Sequence, residues 1–337
     1  MDNVRLDSPA SVSAGPDILH VLITMPVFND WEAVEMVCLA LDRELRSVTW
    51  ADFRLLLIDD GSSQKKDLSF PEGLEKVQTV EILSLRRNLG HQRAIAIALA
   101  YVYEHIACDA VVVMDADGED RPADVPRLLA RMRETGSQSI VFAERGRRVE
   151  DPLFKALYLG YRIVHRLLTG FGIRFGNFSV VPAQYLPTLV VTSEMWSHYA
   201  ASVLKLKIPI ELVRSDRGQR LAGRSRMNLV ALVIHGLTAL ATFQEVAGTR
   251  VLLSGGVLVA LILFLIGAVI LIRLFTGLGI PGWATYTVGL LLILTAQILA
   301  ISLGTVFFIL SARNNTTFLP IRDYQYFVHN CIRIYPR

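Results

Sequence analysis

The sequence predicts an α/β domain with a mostly parallel sheet, followed by an interfacial helix and a transmembrane hairpin. Three observations carry that expectation. Short apolar, β-branched runs alternate with helical patterns from Ile18 to Ala143, as strand–helix–strand units do. One such run, from Val111, leads straight into Asp115-Ala116-Asp117-Gly118-Glu119-Asp120, and open α/β sheets place ligands at strand ends of this kind. Two later runs, Val251–Ile272 and Thr287–Leu310, carry no charge and exceed the ~20 residues needed to cross a bilayer.

Taken in order, residues 1–17 are polar, with Asp2, Asp7 and Asp17 among Ser, Pro and Gly, and read as a disordered start rather than a signal peptide. Ile18–Val27 reads as a first buried strand, stopped by Pro26 and the pair Asn29-Asp30. Trp31–Leu45 has apolar residues at helical spacing, including Val34, Val37, Leu41 and Leu45. Phe53–Ile58 is a second strand, ending in Asp59-Asp60-Gly61. Val80–Leu83 is a third, and Asn88-Leu89-Gly90 opens an Ala-rich helix, His91–His105. The acidic-ended strand follows, then Ser139–Ala143.

From Glu144 the character changes. Arg145, Arg147 and Arg148 crowd a turn, Phe154–Leu168 reads as an amphipathic helix, and Gly170–Asn177 is a glycine-rich loop. An arginine run follows: Arg214, Arg217, Arg220, Arg224 and Arg226, either a solvated face or a membrane-surface patch. Asn228–Phe243 is apolar and nearly uncharged, which suits an interfacial helix. The domain limits expected are therefore 18–226 for the α/β domain, 227–249 for the juxtamembrane helix, 250–311 for the hairpin and 312–337 for a tail.

Composition narrows the function. Net charge is +3 in 337 residues, no argument for nucleic acid, and mean hydropathy is +0.42. Cys38, Cys108 and Cys331 have no metal-ligand spacing and no disulfide pattern, which suits a reducing compartment. Arg273 is the single charge between Val251 and Ala312, whereas Arg250, Arg313, Arg322, Arg333 and Arg337 flank the spans on one side. The positive-inside rule then puts the α/β domain and both termini in the cytosol. No G-x-G-x-x-G follows the first strand, and neither G-x-x-x-x-G-K-[ST] nor G-x-S-x-G occurs. A dinucleotide dehydrogenase, a P-loop enzyme and an α/β-hydrolase are disfavoured. Hard oxygens alternating at 115 and 117 suit Mg²⁺ or Mn²⁺, which usually shares its shell with substrate phosphates.

Five segments together resemble the family 2 glycosyltransferases, and within them the polyprenyl-phosphate glycosyltransferases. They are PVFND at 26–30, IDDGSS at 58–63, RRNLGHQRAI at 86–95, MDADGED at 114–120 and RLAGRSRMN at 220–228. Asp30 stands where the family has Glu, Glu119 where Gln is frequent, and Arg226-Met227 where Lys-Tyr is usual. The resemblance implies a GT-A fold, homo-oligomers, a bacterial inner membrane, and transfer of a sugar from a UDP- or GDP-linked donor to polyprenyl phosphate. It implies that Asp115, Asp117 and Glu119 serve the metal. Pro26, Phe28, Asn29, Asp30, Asp59, Asp60, Gly90, Arg93, Asp115 and Ala116 would then surround the nucleotide sugar.

A lipid phosphate arrives ionised, so its capture needs cations more than a base. Arginine forks suit that task. Arg145 and Arg148 are assigned to donor or acceptor phosphates, and Arg220, Arg224 and Ser225 to the acceptor phosphate. Arg217 and Arg226 are assigned to lipid headgroups. Were the acceptor an alcohol on diacylglycerol or ceramide, Glu194 is the best base, with His198 structural. A processive synthase lacks its Q-x-x-R-W here, a transporter lacks intramembrane charge, and a silent scaffold would not need Asp-Ala-Asp.

Overall fold

The computed structural model describes residues 18–64, 68, 70, 73–145, 160, 163–170, 172, 175–222, 236–276, 282–314 and 318–336. Eight strands form one sheet: β1 (Leu19–Val27), β2 (Ala51–Asp59), β3 (Val77–Leu85), β4 (Ala110–Val113), β5 (Ile140–Arg145), β6 (Phe175–Pro182), β7 (Ile210–Ser215) and β8 (Val328–Tyr335). Their order is β7-β5-β6-β4-β1-β2-β3-β8. The centre, β4-β1-β2-β3, is parallel, as the alternating runs predict. Strands β6 and β8 run antiparallel to their neighbours, so the sheet is mixed.

The α/β expectation holds, and three strands are additions to it. The stretch expected as a glycine-rich loop ends in β6, which takes in Asn177. Arg214 lies within β7 rather than in an arginine loop. Of the two places open to the tail, docked on the domain or along headgroups, the structure shows the first. It returns to the domain as edge strand β8, with Leu83 opposite Cys331 and Ile82 opposite Ile332.

Alternation along the strands explains the layers. Val21, Ile23 and Met25 of β1 face one core, with Phe53, Leu55 and Leu57 of β2. Helix α1 (Trp31–Leu45) and helix α3 (Val125–Glu134) cover that face with Val34, Val37, Leu41, Leu128 and Leu129. Leu22, Leu56, Val111 and Val113 face the other core, covered by helix α2 (His91–His105) and the short helices Leu186–Val190 and Tyr199–Lys205. A strand buried on both faces has no polar side, which is why β1, β2 and β4 read as unbroken apolar runs.

Asp42 is the polar exception on α1. It accepts from the backbone N–H of Lys76 (2.8 Å) and Val77 (3.0 Å), fixing the start of β3. Burial works against its charge, but those N–H groups, with Arg46, outweigh it and hold the carboxyl below its ordinary range.

Beyond the sheet stand two helices of 32 residues each, Gln244–Phe275 and Trp283–Asn314. Both outrun the expected spans. They are long and apolar enough to cross a membrane, and their apolar residues, Phe264, Leu274, Leu290 and Phe308 among them, are exposed rather than packed in a core. That exposure separates them from core helices and supports an integral-membrane protein. They pack on each other through small residues: a Cβ on Gly255 would come within 2.9 Å of Ser302 Oγ. Arg250, on the first of them, donates to the carbonyl oxygen of Leu167 (2.7 Å), at the end of the helical residues 163–169. The expected amphipathic helix is thus described over 163–169, and the interfacial helix over 236–241.

Candidate active site

In-register parallel pairing brings three strand ends together. Val27 sits opposite Asp59 and Thr24 opposite Val113, so the turns after β1, β2 and β4 share one edge. Asp115, Asp117, Asp59 and Asn29 are neighbours there because the backbone register makes them so.

Each turn is built by its own side chains. Asn29 has φ 58°, the left-handed region that Asn tolerates better than most residues. Its Oδ1 accepts from the N–H of Ser63 (2.9 Å) and of Gln64 (3.0 Å), and its own N–H donates to Ser62 Oγ (3.0 Å). Asp59, fully buried, accepts from Ser62 N–H (2.9 Å). Asp60 accepts from the N–H of Leu89 (2.7 Å) and of Gly90 (2.8 Å), which sets the start of α2. Burial dominates there and raises the Asp60 pKa, against those bonds. Asn29 and Asp60, both expected at the nucleotide sugar, shape these loops through their hydrogen bonds. Asp60→Asn keeps one acceptor where two donors point, so a cost of about 1–3 kcal/mol is expected in chemical denaturation.

The acidic turn is equally determined. Asp120 accepts from Asp115 N–H (2.9 Å), and Asp117 Oδ1 accepts from Glu119 N–H (2.9 Å). Gly118 has φ 86°, and a Cβ there would strike Leu221. Leu221 belongs to a loop that lies on this turn. Its N–H donates to the carbonyl of Asp117 (3.0 Å), and Gly218 N–H donates to that of Glu119 (2.9 Å).

That loop carries the arginines. Arg220 donates through Nη1 to Asp117 Oδ2 (3.0 Å) and through Nη2 to Asp30 Oδ2 (2.7 Å). Arg217 pairs with Glu119. The expectation that Arg217 meets headgroups is corrected: its guanidinium is engaged by the acidic turn because the loop folds onto that turn. Glu119, expected at the metal, is the other half of that pair. Asp117 is pulled both ways. Burial and the neighbouring Asp115 raise its pKa, against Arg220 and Arg217.

His91 was not among the expected site residues. It opens α2, and its Nε2 lies 3.0 Å from Asp115 Oδ1 and 2.9 Å from Asn177 Nδ2. Burial opposes a charge on it, but Asp115, with Asp120 and Asp117 behind, prevails and raises its pKa. Its one signal in the sequence is its place directly after Gly90. Arg93, expected at the donor, stacks over Trp196 at 5.0 Å. Phe28 is half-buried, while Pro26 and Ala116 are buried at the strand ends. Arg145 closes β5, in register with Ser215. Glu194 pairs with Lys205, and although burial opposes it, that pairing lowers its pKa. His198 accepts from Ala201 N–H (3.3 Å) as a helix cap, the structural role expected of it. Arg148, Arg224 and Ser225 lie outside the described residues.

The donor set fits a divalent cation. Carboxylate oxygens with an imidazole suit Mn²⁺, and each carboxylate oxygen that already accepts one hydrogen bond keeps a second lone pair. Among the described residues, no three His, Cys, Asp or Glu side chains converge into a cage.

Residues 22–185 match the family described as Glycosyl transferase family 2. The undecaprenyl-phosphate 4-deoxy-4-formamido-L-arabinose transferase of Photorhabdus laumondii is 25% identical over 264 residues, covering 74% of this chain and 77% of that one. The bactoprenol glucosyl transferase of Shigella phage SfX is 24% identical over 290 residues, covering 84% and 92%. Among solved structures, glucosyl-3-phosphoglycerate synthase from Mycobacterium tuberculosis, in complex with Mn²⁺, UDP-glucose and phosphoglyceric acid, superposes with a TM-score of 0.49. Identity there is 16%, over 72% of this chain and 86% of that one.

Proposed function

We propose that the chain, whose residues 22–185 match the Glycosyl transferase family 2 model and whose two apolar helices are long enough to span a membrane, is a glycosyltransferase of that family that moves a sugar from a nucleotide diphosphate to polyprenyl phosphate. The observation that carries this reading is Arg220. The arginine loop that precedes the membrane helices in sequence reaches the acidic turn at the sheet edge, where Arg220 touches Asp117 and Asp30. An anion-binding fork from the membrane side and a cation-binding turn from the sheet side meet at one point.

The chemistry follows from charge. An acceptor phosphate oxygen attacks the anomeric carbon as the bond from that carbon to the nucleotide diphosphate breaks. Negative charge grows on the leaving diphosphate, so groups that favour charge there lower the barrier. Asp115 and Asp117 would hold the Mg²⁺ or Mn²⁺, which when bound neutralises the departing phosphates. Asp59, at the end of β2, would meet the nucleoside. Arg220, with Arg145, Arg148, Arg224 and Ser225, would bind the phosphates.

The acceptor, at about −1.5 to −2 by analogy with phosphorylated side chains, needs no base. Glu194, the best base for an alcohol acceptor, is held by Lys205, which favours the phosphate over diacylglycerol or ceramide. Several relatives of low identity are, by their names, undecaprenyl-phosphate or bactoprenol transferases, and this too supports the reading. The positive flanks of the spans put the domain on the cytosolic side.

The test uses membranes bearing the chain, labelled UDP- and GDP-sugars, and a short polyprenyl phosphate. Transfer is expected with Mg²⁺ or Mn²⁺, none with EDTA, and the product should have inverted anomeric configuration. Retention, or transfer to diacylglycerol or ceramide alone, would reject the proposal.

A further inference from the structure

We propose that the membrane hairpin holds one anionic phospholipid in a groove between its two helices, with Arg273 on the lipid phosphate. The inference needs the two spans but not the sugar-transfer reading. The groove has a volume of about 480 Å³, within the roughly 300–1,000 Å³ of ligand sites. It is polar at one end and apolar at the other. Arg273 and Thr285 line it where the first helix ends and the second begins. Ile270 lies one turn inward on the first helix, and Val288 and Leu292 lie one and two turns inward on the second. From Thr285 to Leu292 is about 10 Å at 1.5 Å per residue. Trp283 and Tyr286 open the second helix, and Tyr286 is 78% exposed. Such rings mark the boundary between membrane and water, so Arg273, which shares the groove with Thr285, stands at headgroup depth.

Charge names the occupant. Between Val251 and Ala312 Arg273 is the one cation, and the stretch contains no Asp or Glu. The acids nearest in sequence are Glu245, about 42 Å away along the same helix at 1.5 Å per residue, and Asp323, beyond the second helix. No side chain of the spans can neutralise this guanidinium, so its counter-charge comes from the surroundings. At headgroup depth that charge is a lipid phosphate, which the planar arginine fork binds through paired hydrogen bonds. A zwitterionic lipid brings its own ammonium to compete for the phosphate, whereas an anionic one leaves the phosphate to Arg273. Basic pockets between membrane helices recognise lipids in this way. The apolar end takes an acyl chain. Gly289 lines it, and a Cβ there would meet nothing within 4 Å. The helices leave that space beside the glycine open instead of packing into it.

The full-length chain in detergent, stripped of lipid, would be titrated with phosphatidylglycerol, phosphatidylethanolamine and polyprenyl phosphate, and native mass spectrometry would count the molecules bound. The expected result is one phosphatidylglycerol held more tightly than any further copy, and more tightly than phosphatidylethanolamine. Arg273→Gln should weaken that first site about 10-fold or more, the scale of a lost charge-assisted hydrogen bond. Gly289→Leu keeps the charge and fills the groove, and it should weaken the same site. An effect of Arg273→Gln without one of Gly289→Leu overturns the groove and leaves only surface attraction. Equal affinity for the two phospholipids overturns the choice of an anionic lipid. Polyprenyl phosphate that displaces phosphatidylglycerol from the first site makes the occupant an isoprenoid and overturns the phospholipid. A native chain with no distinct first site overturns the proposal whether or not the variants fold, and leaves the sugar-transfer reading untouched.

Discussion

Asp117→Ala is expected to lower the rate of sugar transfer roughly 1,000-fold while leaving the domain folded. The magnitude follows from what the carboxylate is asked to do. A cation at the leaving phosphates contributes several kcal/mol at the transition state, and about 1.4 kcal/mol is a factor of ten. The fold should survive because Asp117 stands on a turn rather than in either core. What it loses is one bond to Glu119 N–H and the pair with Arg220. Burial already disfavours its charge, so removing it relieves part of that cost. Asp117→Asn keeps the shape and the turn but not the charge, and should be nearly as inactive. Single-turnover transfer with Mn²⁺ at saturation, beside a thermal melt, checks both. A variant that keeps a tenth of the native rate would exclude Asp117 from the chemistry.

The second large effect is on stability. Tyr324→Ala should destabilise the domain by about 3–5 kcal/mol, as loss of a buried aromatic ring does, which lowers a melting midpoint by on the order of 10 °C. Tyr324 is 1% exposed although it follows both membrane helices. Its hydroxyl donates to Glu104 and lies 2.8 Å from His105 Nε2, both at the end of α2. Nearby, Phe318 stacks on Trp196 with ring centroids 3.6 Å apart. Tyr324→Phe removes only the hydroxyl and should cost about 1–2 kcal/mol. Protease sensitivity of residues 318–336 should rise in the alanine variant. An unchanged midpoint would mean that the docked tail contributes nothing to the domain.

What the sequence shows of this fold depends on which residues carry their own signal. β4 and the central residues of β1 and β2 are buried on both faces, so their side chains are nearly all apolar and the runs are unmistakable. α1 declares itself by spacing. β6 does not, because Phe175-Gly176-Asn177 mixes apolar, conformationally free and polar residues, and its pairing to β4 and β5 decides it. β7 alternates Glu211 and Arg214 with apolar residues, and its charges belong to a sheet edge. β8 is separated from its partner β3 by more than two hundred residues and two membrane-length helices, and no local pattern announces such a pairing. The site divides the same way. Asp115 and Asp117 follow a strand of pure signal. The engagement of Arg217 by Glu119, and of Glu194 by Lys205, depends on distances that spacing does not encode. His91 lies within RRNLGHQRAI, yet its partner Asn177 is 86 positions away.

The strands either side of the membrane hairpin occupy opposite ends of the sheet. β7, the last before it, is one outer edge, and β8, the first after it, is the other. Seven inter-strand steps separate them, about 34 Å at 4.8 Å per step. The chain therefore leaves the sheet at one rim before the hairpin and rejoins it at the opposite rim after it.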